Sequence, residues 1–215
     1  QSAQALVPVW RRLLPETAAR LLAVLPDATA DSLLAELPPA EAVQLVGQMS
    51  TEERARRLDR LDPAVKRELE ELMTFPEGSA GRLMDLRVDA YRGTMTVADT
   101  LDVLRQKRMK TARSLYLVDP GRRLIGRVFL QDLAIASPQQ SLSELMQPIA
   151  ASVEPTASQE EVTEILNRER LIDPPVVNYD GVLVGMVTHA RLIQAVQEDV
   201  TSDIQTMVGA SRDER

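Results

Sequence analysis

Carboxylates are the main residues of this chain that are capable of chemistry. Aspartate and glutamate together number 32, against 25 lysines and arginines, and the chain contains one histidine and no cysteine. Thiolate catalysis, disulfides and sulfur-ligated metals are therefore excluded, and any bound metal would be held by oxygen ligands. Asp199 and Asp203 lie one helical turn apart beside an apolar stripe. An enzyme is not expected, because the chain has no glycine-rich phosphate loop and no activated-nucleophile pattern.

Charge is distributed unevenly along the chain. Residues 1–75 carry 9 basic and 12 acidic side chains, residues 76–145 carry 11 and 8, and residues 146–215 carry 5 and 12. A basic middle between acidic ends favours contacts within the protein or with a partner protein, and no binding of nucleic acid is expected. No run approaches the roughly 18 uncharged apolar residues of a membrane span, so we expect the chain itself to be water-soluble.

A repeat of 12 residues marks the first part of the chain. An apolar residue followed by a helix-breaking or helix-capping residue recurs at Leu25-Pro26, Leu37-Pro38, Met49-Ser50 and Leu61-Asp62. The segments between these pairs, such as 30–37 and 40–49, space their apolar residues as helices of about two turns. Because such short helices are unstable alone, the sequence predicts an all-α domain in which they pack as a compact superhelix.

Charges and caps refine the prediction for one of these helices. Ser50 with Glu53 forms a capping-box pattern at its start. Glu52 and Glu53 each precede an arginine by four residues, Arg56 and Arg57. We interpret this stretch as a solvated helix face with ion pairs rather than as a phosphate-binding patch.

The second part of the chain contains one unit twice, at an offset of about sixty residues. The first copy is predicted to have a helix at 97–104, strands at 114–118 and 124–129, and a closing helix at 130–136. The second copy is predicted to have a helix at 162–166, strands at 175–178 and 183–188, and a closing helix at 190–196. Hairpin turns are expected at Asp119-Pro120-Gly121 and Asp180-Gly181.

Three stretches resemble a known family. Residues 124–128, LIGRV, followed by Asp132-Leu133, and residues 183–188, LVGMVT, resemble the corresponding segments of a pair of CBS domains. The bridge at residues 75–84, FPEGSAGRLM, resembles the segment that joins a helical amino-terminal domain to a CBS pair in magnesium transporters of the MgtE family. Helical repeats, bridge and two CBS copies in this order cover nearly the whole chain.

The resemblance implies an α+β, multidomain fold. Its expected parts are an all-α short-helix superhelical N domain (1–74), a linker (75–84), two mixed α/β CBS domains (85–142 and 143–197), and a C-terminal connecting helix (198–215). An apolar helical stripe independently indicates that helix: Leu192, Ile193, Val196, Val200, Ile204, Met207 and Val208.

The resemblance also implies a function. The chain would be the cytosolic Mg²⁺-sensing gating region of a magnesium transporter or channel, on the cytoplasmic side of the inner membrane, with its transmembrane domain absent from this chain. In that family the region is a homodimer formed through its CBS domains. Mg²⁺ between acidic surfaces would favour a closed, compact state.

Magnesium is expected at loosely arranged carboxylates, since this ion takes oxygen ligands and keeps several waters. The candidate ligands are Glu77 in the bridge, Asp132 after the first-copy strands, and Glu198, Asp199 and Asp203 on the connecting helix. Where many relatives have acidic residues after the last CBS strand, this chain has His189, Ala190 and Arg191. This departure indicates fewer cations, or a guanidinium in place of a metal.

Nucleotide binding is the main alternative. CBS pairs often hold adenine nucleotides such as ATP through a glycine, a hydroxyl residue and an aspartate. The first copy has Gly126 and Asp132 but Phe129 at the hydroxyl position, and the second has Gly185 and Thr188 but Arg191 at the aspartate position. Each half is incomplete. A free-standing adenine-nucleotide-responsive CBS adaptor and a purely structural docking scaffold stay open as alternatives.

Overall fold

The computed structural model describes residues 3–10, 13, 15–107, 113–169 and 171–195. Its first part is helical throughout, as the 12-residue repeat predicts. The helices are α1 (Ala3–Trp10), α2 (Pro15–Val24), α3 (Asp27–Glu36), α4 (Pro39–Gly47), α5 (Thr51–Leu58) and α6 (Pro63–Met73). We call these helices the N domain.

The repeated breaker and capping residues mark the helix starts. Pro26 and Pro38 occupy the N-cap positions of α3 and α4 with φ of −54°, and their carbonyls accept the first helical hydrogen bonds. Ser50 and Asp62 cap α5 and α6, because their side-chain oxygens accept hydrogen bonds from backbone N–H groups of the first turn. Each helix therefore begins directly after its repeated pair.

The predicted ion pairs of Glu52 with Arg56 and of Glu53 with Arg57 do not form. The side chain of Arg57 is instead fully buried, and its Nη1 donates to Oδ1 of Asp27 at 2.8 Å. Its Nη2 donates to a backbone carbonyl of α2 at 3.3 Å. Arg57 faces the junction of α2 and α3, where its buried guanidinium donates to both acceptors. The interpretation of this face as solvated is therefore wrong at Arg57 and holds for Arg56, whose side chain is 55% exposed.

The second part of the chain consists of two copies of an α/β unit. The first copy contains β1 (Ala90–Arg92), α8 (Val97–Lys107), β2 (Ser114–Val118), β3 (Leu124–Phe129) and α9 (Leu130–Ile135). The second copy contains α11 (Gln159–Glu169), β4 (Pro175–Val177), β5 (Leu183–Met186) and a helix over residues 189–195, which we call α12. The short helices α7 (Ala80–Leu83) and α10 (Leu142–Leu145) precede the two copies.

Strand pairing confirms the repeat. Strands β1 and β2 are parallel, whereas β2–β3 and β4–β5 are antiparallel hairpins. Leu117 pairs with Gly126, and Val176 pairs with Gly185, so the copies match at a constant offset of 59 residues. Each hairpin has a register shift directly after this pair. The fold class is as predicted; the domain boundaries stay predictions, and the connecting helix 198–215 lies outside the described residues.

Each copy is completed by the segment that precedes the other copy. The first N–H groups of α10 donate to the carbonyls of Met95 and Gly93 in the first copy. Those of α7 donate to the carbonyls of Ala157 and Pro155, the matching loop of the second copy. The end of the expected linker is therefore part of the packing of the second copy.

Two methionine–glycine contacts stabilise this exchange of segments between the copies. Met84 follows α7 and covers Gly185 in β5, while Met146 follows α10 and covers Gly126 in β3. A Cβ atom at either glycine would lie under 3.0 Å from the methionine side chain. Both glycines are therefore required by close packing between the exchanged segments and the strands.

We expect Arg57→Leu to lower the free energy of unfolding by about 2–4 kcal/mol, because Asp27 loses the nearest of its arginine partners and a buried carbonyl loses its donor. Arg56→Leu is the matched control: it makes the same change of charge on the same helix, but at an exposed side chain, and should cost under about 1 kcal/mol. Denaturant unfolding followed by the fluorescence of Trp10, the single tryptophan of the chain, measures both. Equal losses in the two variants would contradict the assigned role of Arg57.

Candidate functional site

The N domain and the second copy share one apolar core. A continuous cluster of buried side chains includes Leu72 of α6, Leu83 and Met84 at the end of α7, and Val162 and Val187 of the second copy. The first copy has a core cluster of its own among the described residues. The N domain is therefore packed on the second copy rather than suspended from a linker.

The bridge at residues 75–84 forms this junction through close packing, a glycine turn and a helix cap. The ring of Phe75 packs on Gly81, where a Cβ atom would lie under 3.0 Å from the ring. Gly78 has φ of +70°, a conformation that favours glycine. The hydroxyl of Ser79 accepts a hydrogen bond from the N–H of Arg82 and so caps α7. The residues that carry the family resemblance thus form a tight joint.

Glu77, a predicted magnesium ligand, lies beside arginines. A Cβ atom on Gly47 would be 3.7 Å from both Oε1 of Glu77 and Nη2 of Arg82, so the two side chains converge there. Burial lowers the pKa of Arg82, Glu77 raises it, and the nearby charge of Arg54 lowers it further. The carboxylate of Glu77 therefore serves to compensate positive charge, which disfavours a dication at this position.

A cleft of about 310 Å³ lies at the edge of the junction between the N domain and the second copy. Its ionisable lining residues are Glu41 of α4, Asp85 after α7, and Arg191 of α12. Arg191 is only 8% exposed, and its Nη2 donates to Oε1 of Gln44 in α4 at 2.8 Å. We call this the interdomain cleft. Sequence reasoning singled out Arg191 but missed Gln44, because nothing in the helical repeat indicates which face of α4 meets α12.

The residues predicted to bind nucleotide do not form one pocket. Gly126 and Gly185 are each covered by a methionine side chain. Thr188 lines the interdomain cleft, and its hydroxyl caps α12 by accepting a backbone N–H. Asp132 is half-buried and accepts a hydrogen bond from Nε2 of Gln147 at 3.3 Å. These side chains have local structural partners.

A larger cleft of about 590 Å³ lies between the two copies. Its charged lining residues come from several separate segments: Arg87, Asp89, Arg113, Arg127 and Asp173. Burial raises the pKa of Tyr91 and Tyr116, which also line it, to about 12. Both phenols are therefore neutral at physiological pH, and the hydroxyl of Tyr116 donates to the carbonyl of Asp173 at 2.6 Å.

One wall of this cleft combines an aromatic ring with a positive charge. The guanidinium of Arg127 lies 4.6 Å from the centroid of the Phe129 ring. Phe129 is the residue at the expected hydroxyl position, so the substitution that made the sequence pattern incomplete contributes a flat apolar surface to the cleft. We call this the inter-copy cleft. No sequence motif indicated this cleft, because its lining is assembled from residues far apart in the chain.

In the part of the chain that the structure describes, no cluster of metal ligands supports the predicted magnesium site. No three histidines, aspartates or glutamates are placed there to hold a metal ion. Glu198, Asp199 and Asp203 lie outside the described residues. None of the described helices is both long enough and apolar enough to cross a membrane.

Comparison with known proteins identifies both parts of the chain. Residues 3–78 match the family described as the MgtE intracellular N domain, and residues 142–198 match the CBS domain family. The magnesium transporter MgtE of Thermus thermophilus is 34% identical over 151 residues, which is 69% of this chain and 34% of that protein. Its counterpart from Bacillus subtilis is 27% identical over 158 residues, 73% of this chain and 35% of that protein. The chain thus spans about a third of these relatives.

Solved structures agree over a larger share of the chain. The cytosolic domain of the Mg²⁺ channel MgtE, crystallised with ATP, superposes with a TM-score of 0.83 at 32% identity and covers 90% of this chain and 79% of that one. The expectation that the chain is not an enzyme is confirmed, because the relatives that match most of its length are a magnesium transporter and the cytosolic domain of a Mg²⁺ channel. The chain has an N domain, a bridge and a CBS pair in this order, and both its sequence and its structure match those of MgtE proteins. It therefore belongs to the MgtE family and has the fold of the MgtE cytosolic domain.

Proposed function

We propose that this chain is the Mg²⁺-sensing gating region of a magnesium transporter or channel, whose transmembrane domain is carried by a part of the protein outside this chain. Its similarity to the MgtE cytosolic domain over 90% of its length supports this role. The function places the region on the cytoplasmic side of the inner membrane.

The proposed switch is repulsion between acidic surfaces. The chain has a net charge of −7, and its last seventy residues carry 12 acidic and 5 basic side chains. Surfaces of like charge resist close approach, and a dication between them removes this cost and favours a compact, closed arrangement. Glu77 and Asp132 have other partners, so we assign the main response to Glu198, Asp199 and Asp203.

We propose further that the region acts as a homodimer through its CBS copies. The closing helices of the two copies, α9 and α12, each expose a large apolar side chain: Ile135 is 87% exposed and Ile193 is 45% exposed. Exposed apolar surface on the closing helix of each copy favours association with a second chain.

Millimolar Mg²⁺ is expected to reduce the radius of gyration of the purified chain, measured by small-angle X-ray scattering against the same protein in chelator. Asp199→Asn combined with Asp203→Asn should weaken this response, because two carboxylates that repel the neighbouring surface in the free state are neutral in the variant. The result would be a smaller difference between the two conditions.

The matched control for that variant is Glu36→Gln with Glu52→Gln. It removes the same number of charges from exposed positions of the N domain and should leave the response intact. A wild-type radius of gyration that is the same in chelator and in Mg²⁺ would contradict the sensor proposal. An undiminished response in the aspartate variant would remove these two residues from the site.

ATP binding in the inter-copy cleft is a second candidate function. Its volume of about 590 Å³ is within the range of small-molecule sites, and arginines with an aromatic ring suit a phosphorylated, aromatic ligand. The similar MgtE cytosolic domain was crystallised in complex with ATP. A nucleotide here would meet Arg127 and Phe129 rather than the predicted set of Gly126, Asp132, Gly185 and Thr188.

Isothermal titration calorimetry with ATP is expected to show saturable binding that Arg127→Met weakens by about tenfold, the loss typical of one charged hydrogen-bonding group. Arg168→Met is the control, since Arg168 is an exposed arginine of α11 paired with Glu169. Absence of saturable heat in the wild type, or equal binding by both variants, would exclude this cleft as the ATP site.

A further inference from the structure

The two copies differ in charge at the position where one of them meets the N domain. At the offset of 59 residues that the strand registers give, Asp132 of α9 corresponds to Arg191 of α12. In the first copy the aspartate accepts a hydrogen bond from a nearby glutamine, Gln147. In the second copy the arginine is 8% exposed and bonds to Gln44, which is 147 residues away in the chain and belongs to the N domain.

Arg191 lies where negative charge would otherwise oppose docking. The interdomain cleft brings Glu41 of the N domain and Asp85 to the same cavity as the guanidinium of Arg191. Carboxylates that line the same cleft repel one another, and a cation among them lowers this cost. A guanidinium keeps its charge at every physiological pH and, unlike a bound ion, cannot dissociate.

We propose that Arg191 is a built-in cation that positions the N domain on the second copy, so that docking of these two parts does not require a divalent cation. The shared apolar core supplies the contact area, and Arg191 supplies the charge compensation at its edge. A dication would enter this cleft only against the repulsion of the guanidinium. Mg²⁺ therefore acts on other surfaces of the region, and the inference goes beyond the proposed sensor function.

Distance measurement between two spin labels tests this proposal. The chain has no cysteine, so Arg67→Cys on α6 and Asp180→Cys on the β4–β5 turn, both exposed, provide the only labelling sites. Double electron–electron resonance then reports the distance between the N domain and the second copy. It is recorded in chelator and in millimolar Mg²⁺ for the wild-type background and for each variant.

The wild-type background is expected to give the same distance distribution in both conditions. Arg191→Met should lower the ratio of docked to undocked molecules in chelator by about tenfold or more, as for the loss of a charge-assisted hydrogen bond. Mg²⁺ should restore docking in this variant, since the dication replaces the missing positive charge. Arg191→Lys, which keeps the charge, should remain docked in chelator. Arg168→Met, the exposed control on α11, should behave as wild type.

Each outcome is decisive. A wild-type distance that lengthens in chelator, or an Arg191→Met variant that stays docked without Mg²⁺, would overturn the role of Arg191. Loss of docking in Arg191→Met that Mg²⁺ does not reverse would show a packing role without charge compensation, and would also overturn it. None of these results depends on the overall scattering response to Mg²⁺, so failure of this inference and failure of the sensor proposal are distinguishable.

Discussion

The burial of Leu83 and Met84 between the N domain and the second CBS copy is the interaction on which the architecture depends. These two residues lie at the end of a helix of a single turn, and they contribute to a core that neither part completes alone. Burial of apolar area is the dominant favourable contribution to such an interface. It makes the N domain and the second copy one packed body. The first copy keeps a core of its own and is joined through the exchanged segments and a small shared cluster of Tyr116, Val118 and Leu183.

Polar contacts then fix the geometry that apolar packing leaves unspecified. Arg57 links α5 to the start of α3 inside the N domain, and Arg191 links α12 to α4 across the junction. Both guanidinium groups are largely buried and donate hydrogen bonds to specific acceptors, which penalises any sliding of one helix along its neighbour. Such fixed contacts determine which surfaces of the chain remain free to move.

The sequence predicted the features that depend on local periodicity. The 12-residue repeat located the N-domain helices because proline and capping residues start them directly, and the hairpins at 114–129 and 175–186 followed from strand patterns and turn residues. Contacts between distant segments were not predictable in this way. The pairing of Arg57 with Asp27 spans 30 residues, and charge spacing within α5 alone favoured local partners instead.

The candidate site shows the same difference between features that local sequence predicts and contacts between distant segments. The position of Arg191 relative to the CBS pattern was visible in the sequence, but its partner Gln44 depends on how α4 docks. Glu77, Gly126 and Gly185 were chosen by family resemblance, and in the structure each has a packing or charge-compensating role. The inter-copy cleft was missed because Tyr116, Arg127 and the other lining residues come from separate segments.

Native-state hydrogen exchange in low concentrations of denaturant tests the shared core most directly. If the N domain and the second copy are one packed body, the amides of α4 and α6 and those of β4 and β5 will exchange through one common opening with the same free energy and denaturant dependence. Exchange of the N-domain amides at a clearly lower free energy, with β4 and β5 still protected, would show two independent units and would contradict this account.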